Sequence, residues 1–164
     1  MSAVGADARP LLLIDVDGVL RREGPGVAEG FEVFYREGRE VQLNPAHGAA
    51  LLAFADRFDL VWATGWHGEA NEFVAPLVGL PRLPVVSLAP AVAKSGGIDA
   101  FAGDRPVCWL DDDVLPEDRA WARARVARGV PTLIVVVDYR SGLTEAHLRE
   151  VARFALSLGL RPSR

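Results

Sequence analysis

Apolar residues come along this chain in short unbroken runs: Leu11-Leu-Leu-Ile, Leu60-Val-Trp-Ala, Leu83-Pro-Val-Val-Ser-Leu, Val107-Cys-Trp-Leu and Thr132-Leu-Ile-Val-Val-Val. None alternates apolar with polar, so each reads as a strand covered on both faces, as in a parallel sheet held between helical layers. Segments with helical spacing separate the runs. From Pro45 to Arg57, and on to Phe58, the residues Leu51, Leu52, Ala55 and Phe58 share a face, with Asn44 as N-cap and Pro45 at the first helical position. Trp66 to Val78, Gly97 to Ala102 and Glu117 to Ala127 are further helix candidates. Thr144 caps the clearest one, in which Leu148, Val151, Ala152, Ala155 and Leu158 align before Gly159 stops the run. The expected architecture is α/β: a three-layer, doubly wound, Rossmann-like fold around a mainly parallel five-stranded sheet.

Arg21 to Val41 breaks this rhythm. It is rich in glycine and charge, and the alternation in Phe31-Glu-Val-Phe-Tyr suggests a small hairpin. Residues 21–41 therefore read as a flap-like insertion leaving the first strand. No repeat, low-complexity tract or long linker divides the chain, so residues 1–164 are expected to form a single domain.

Charge and cysteine content narrow the function classes. Eighteen Lys and Arg against 22 Asp and Glu give a net charge of −4, which argues against a generic nucleic-acid or membrane-surface binder. Cys108 is the one cysteine, so neither an internal disulfide nor a cysteine-based zinc site is expected, and a cytoplasmic setting is the default. Asp15 interrupts the first apolar run too early for a secretory signal, and no stretch nears the ~20 apolar residues a membrane span requires.

In open parallel sheets, ligands bind beyond the carboxyl ends of the strands. Here the first run ends in Asp15-Val-Asp17-Gly18, the second in Thr64-Gly65, and the fourth in Asp111-Asp112-Asp113. Lys94, the chain's sole lysine, follows the third. Asp15 and Asp17 are two apart and leave a strand on one face, and Gly18 permits a sharp turn after them. Gathering Asp111 and Asp112 beside them is costly without a cation. Oxygen donors without histidine or thiolate favour Mg²⁺, and Lys94 adds positive charge.

These motifs, in this order, resemble those of the haloacid dehalogenase superfamily: Asp15-Val-Asp-Gly-Val-Leu the first, Thr64 the second, Lys94 the third and Asp111-Asp112 the fourth. Trp62-Ala-Thr-Gly-Trp66 and Trp109-Leu-Asp-Asp-Asp113 most resemble small bacterial members associated by domain context with RNA-repair assemblies. The resemblance implies a Mg²⁺-dependent phosphohydrolase or phosphotransferase with a small flap and no large cap. Asp15 would be the nucleophile, forming an aspartyl-phosphate, and Asp17 the general acid and then base. Asp15, the backbone carbonyl of Asp17, Asp111 and Asp112 would hold Mg²⁺, with Asp111 and Asp112 favoured over Asp113. Thr64 and Lys94 would bind the phosphoryl oxygens. Gly65, Trp66 and Arg21 are expected at the substrate.

The substrate class follows from the spacing. About 46 residues separate Asp17 from Thr64 and 29 separate Thr64 from Lys94, too few for a folded lid. An open site suits a large phosphorylated substrate such as a nucleic-acid end. Two other classes fit parts of the pattern: a non-catalytic module binding metal or phosphate, and a receiver-like phosphoacceptor domain, whose motif order differs. Among the remaining residues, Arg119, Arg123, Arg125 and Arg128 read as a solvated helix face, Arg22 as a residue near the reaction centre, and His47, His147 and Cys108 as structural.

Overall fold

The computed structural model describes residues 8–164. Four parallel strands form the main sheet in the order β4-β1-β5-β6. They are β1 (Leu11–Ile14), β4 (Asp59–Trp62), β5 (Val107–Asp111) and β6 (Thr132–Val136). All four residues of β1 are fully buried, so this central strand has a helical layer on each side. The side-chain period of two divides the core accordingly. Leu12, Ile14, Leu60, Trp62, Cys108 and Leu110 face one cluster, while Leu11, Leu13, Val61, Ala63, Val107 and Trp109 face the other.

The first cluster is closed by Leu51 from α1 (His47–Leu52), Val74 from a π-helical turn (Ala70–Val74), Val78 from α2 (Ala75–Val78), and Val151 and Ala155 from α5 (Glu145–Ser157). The second is closed by Ile98 and Ala102 from α3 (Ser95–Ala102), with Trp121 of α4 (Pro116–Ala127) packed against it. None of the described helices is long and apolar enough to cross a membrane.

The expected fifth strand is reduced to one bridge. Leu83 to Leu88 touches the sheet at Val85, opposite Trp62, where Trp62 N–H donates to the Pro84 carbonyl and Val86 N–H to that of Trp62. Pro84 has no N–H to extend a ladder, which confines the segment to the sheet edge. The helix expected from Pro45 to Arg57 is also shorter, and α1 gives way to turns after Leu52.

The insertion forms the expected hairpin, pairing β2 (Glu32–Arg36) antiparallel to β3 (Arg39–Leu43), two residues beyond the expected end at Val41. Glu37 and Gly38 turn it with positive φ at both positions, the geometry of a two-residue type I′ connection. An isolated bridge from Arg21 to Leu43 ties the hairpin's base to the loop after β1.

Candidate active site

Because β1 lies between β4 and β5 and all run parallel, their carboxyl ends deliver Asp15, Thr64 and Asp111 to one edge. This is the crevice where the connection from β1 runs to β4 on one side and that from β5 to β6 on the other. Asp15 and Asp111 are buried and Asp112 is half-buried. One carboxylate oxygen from each lies within 4.8 Å of the others. Asp113, next in sequence, is exposed and outside the group, so of the three consecutive aspartates Asp111 and Asp112 come together with Asp15.

Lys94 supplies the cation among them. Its Nζ lies 3.0 Å from Asp15 Oδ2 and 2.6 Å from Asp111 Oδ2, and donates to the Ala63 carbonyl at 3.3 Å. One ammonium does not balance three carboxylates. Burial, reinforced by the charge of Asp111, pushes the Asp15 carboxyl up to about 7 in spite of Lys94. Burial and Asp111 likewise push Asp112 up to about 6. Burial works against the Lys94 charge, yet Asp15 and Asp111 outweigh it and raise its pKa.

The loop after β1 makes the close approach possible. Gly18 has φ +76°, and a Cβ there would lie 2.2 Å from Asp112 Cγ. Glycine is therefore needed both for the turn and for the room that Asp112 occupies. Val16 N–H donates to Asp15 Oδ1 at 2.8 Å, fixing the carboxylate so that Oδ2 faces Lys94. Thr64 is fully buried and its hydroxyl accepts from Trp66 N–H at 3.2 Å. Gly65 is exposed, with open space where a side chain would stand.

Asp17 does not join the carboxylate group. Its side chain is 50% exposed, and Oδ1 accepts from Trp66 Nε1 at 2.9 Å and Arg21 at 3.1 Å. Trp66 stacks on Phe73, and the Arg36 guanidinium from the hairpin lies 4.8 Å from the Trp66 ring centroid while pairing with Glu69. Arg21, Arg36, Arg39 and Trp66 line a cavity of about 130 Å³ between hairpin and site.

Two arginines correct the sequence reading. Arg125 belongs to no solvated face: it is fully buried, and its guanidinium donates to Thr132 Oγ1, Asp99 and the Gly103 and Arg105 carbonyls. It thereby satisfies peptide groups beyond the C-terminus of α3. Arg22 binds the Gly26 and Arg140 carbonyls and Gln42, not the carboxylate group, and holds the insertion to the body.

The pattern of runs did not single out three supporting residues. Asp118, also buried, accepts from Ser95 N–H at 2.9 Å and Leu115 N–H at 3.1 Å, so one carboxylate holds the start of α3, next to Lys94, against the start of α4. An acidic residue at the third helical position, two after Pro116, was the available signal. Trp109 Nε1 donates to Asp111 Oδ2 at 3.1 Å, and Arg36 braces Trp66. Trp109 and Asp111 are two apart on β5 and so share a face, whereas the Arg36 contact joins residues 30 positions apart and has no local signature. His47, Cys108 and His147 are structural: His47 is buried, with desolvation lowering its pKa to about 4, Cys108 is buried in β5, and His147 accepts from Thr144 N–H at the start of α5.

Comparison with known proteins finds no family model and no curated protein that matches this chain.

Proposed function

We propose that this chain is a Mg²⁺-dependent phosphohydrolase or phosphotransferase of the haloacid dehalogenase type, acting through an aspartyl-phosphate on Asp15. The observation carrying this reading is the meeting of Asp15, Asp111 and Asp112 within 4.8 Å, with Lys94 among them, at the carboxyl edge of a parallel sheet. Three crowded carboxylates against one ammonium, with two carboxyls pushed up by burial and repulsion, form an oxygen-only donor set suited to a hard divalent cation. Asp15, Asp111 and Asp112 would hold Mg²⁺, with the Asp17 carbonyl as a further donor. When bound, the ion neutralises charge on the phosphoryl oxygens and screens the carboxylates from one another.

The chain's own groups divide the work. Lys94 and the Thr64 hydroxyl bind phosphoryl oxygens. Asp15 attacks phosphorus; the bond to the leaving oxygen breaks, and Asp17 gives that oxygen a proton. Asp17 then takes a proton from water, which attacks the same phosphorus and releases Asp15 and inorganic phosphate. The segments between Asp17 and Thr64 and between Thr64 and Lys94 hold the hairpin, short helices and the edge bridge, and no lid domain. That openness supports a large substrate such as a phosphorylated nucleic-acid end.

The test is phosphate release from a generic aryl phosphate and from 5′- and 3′-phosphorylated oligonucleotides, with and without Mg²⁺. Turnover that needs Mg²⁺ and disappears in Asp15→Asn is expected. Turnover persisting in that variant, or in excess chelator, overturns the scheme. Metal binding without turnover on any substrate assigns the site to a binding module instead.

A further inference from the structure

We infer that Trp66, braced by Arg36 of the hairpin, is a positioning residue for proton transfer by Asp17. The inference rests on the phosphoryl-transfer reading above and goes beyond it, because that reading gives Trp66 no role and the sequence motifs place it only at the substrate. Asp17 is half-exposed and stands outside the carboxylate group. Nothing in the packing of an exposed aspartate holds one rotamer, so its direction depends on hydrogen bonds. Both bonds fall on one oxygen: the indole N–H of Trp66 at 2.9 Å and Arg21 at 3.1 Å meet Oδ1. Among the described residues no hydrogen bond reaches Oδ2. An oxygen that accepts two N–H donors has its lone pairs engaged, so Oδ2 is the atom that gives and takes the proton.

The Trp66 ring is itself held. It stacks on Phe73 at 6.0 Å with 21° between planes, and Arg36 lies 4.8 Å from its centroid while paired with Glu69. A chain of contacts thus runs from the hairpin through Arg36 and Trp66 to Asp17. It gives the insertion a task in the reaction: the hairpin holds the indole whose N–H aims the acid.

The step is an ordinary protonation of the leaving group. As the bond from phosphorus to the leaving oxygen breaks and the Asp15–phosphorus bond forms, the proton passes from Asp17 Oδ2 to the departing oxygen. An alkyl alcohol needs that proton far more than an acidic phenol does. Misaiming Asp17 therefore discriminates between substrates by leaving group, whereas a general loss of structure does not.

The experiment compares kcat/KM on an alkyl phosphate and on 4-nitrophenyl phosphate for the full chain, Trp66→Phe and Arg36→Ala, with thermal melting as a check on folding. Phenylalanine keeps the ring and loses the donor. Trp66→Phe is expected to lower kcat/KM on the alkyl substrate about tenfold more than on the aryl one, part of the range general acid catalysis supplies. Arg36→Ala, which leaves the indole N–H present, is expected to shift the ratio in the same direction by about threefold. Equal losses on both substrates in both variants, or no change in the ratio, overturn the positioning role. Absence of turnover by the unaltered protein on these two substrates and on the phosphorylated oligonucleotides overturns the phosphohydrolase reading itself, a different failure from an unchanged ratio.

Discussion

Replacing Asp112 by asparagine separates the cost of the carboxylate group from its use. Its side-chain oxygen lies within 4.8 Å of those of Asp15 and Asp111, and Lys94 pairs with the other two acids. At that separation and an effective dielectric of ~20, two unit charges repel by about 3 kcal/mol. Asp112 is only half-buried, and solvent screening reduces the net effect to about 1 kcal/mol. Its carboxyl is pushed up to about 6, first by burial and then by Asp111. A carboxyl whose folded pKa lies above its unfolded one stabilises the fold below the unfolded value and loses that contribution as pH rises through the folded value. Without metal, Asp112→Asn is therefore expected to melt about 3 °C higher than the parent at about pH 7.5, and the gap is expected to narrow as pH falls below about 6 and to close only below about pH 4. Mg²⁺ reverses the ranking, because ligand binding adds RT ln(1 + [L]/Kd) of stability and the variant has lost a donor. Thermal melts in chelator and in a Mg²⁺ series across this pH range read out all of this. A lower melting temperature for the metal-free variant at the higher pH, or a Mg²⁺-induced rise equal to the parent's, refutes the electrostatic account.

Gly18→Ala is expected to cost about 1–3 kcal/mol in chemical denaturation and to weaken Mg²⁺ binding, since its Cβ would meet Asp112 Cγ at 2.2 Å on a backbone with φ +76°. Asp118→Ala leaves the Ser95 and Leu115 N–H groups without their acceptor. A loss of about 2–4 kcal/mol is expected in urea unfolding, and any phosphatase activity should fall with it as Lys94 loses its support. Arg125→Met is expected to destabilise the fold by about 3 kcal/mol, because the Gly103 and Arg105 carbonyls lose their donor; a wild-type melting curve would contradict that account.

The local code of the chain determined much of this protein. Unbroken apolar runs specified strands buried on both faces, and the four that lack an interrupting proline became β1, β4, β5 and β6. Asp15 and Thr64 stand within two residues beyond strand ends, Asp111 ends β5 and Lys94 lies just before α3, so their arrival at one edge follows from a parallel sheet. Proline at position 84 explains in retrospect why the fifth run made a single bridge.

What only tertiary structure decided depends on partners far apart in sequence. The order β4-β1-β5-β6 puts Asp15 between its neighbours, and no periodicity encodes that order. Arg125 shares a helix with Arg119 and Arg123, yet it alone of the three is buried, because the loop after α3 brings carbonyls over it. Asp17 and Trp66 lie 49 positions apart, and the hairpin that braces the indole was visible as an alternating segment without a destination. Periodicity and turn chemistry act over a few residues and are written in the sequence directly. Hydrogen bonds between side chains from different elements exist only once strand register and helix packing have set those elements side by side.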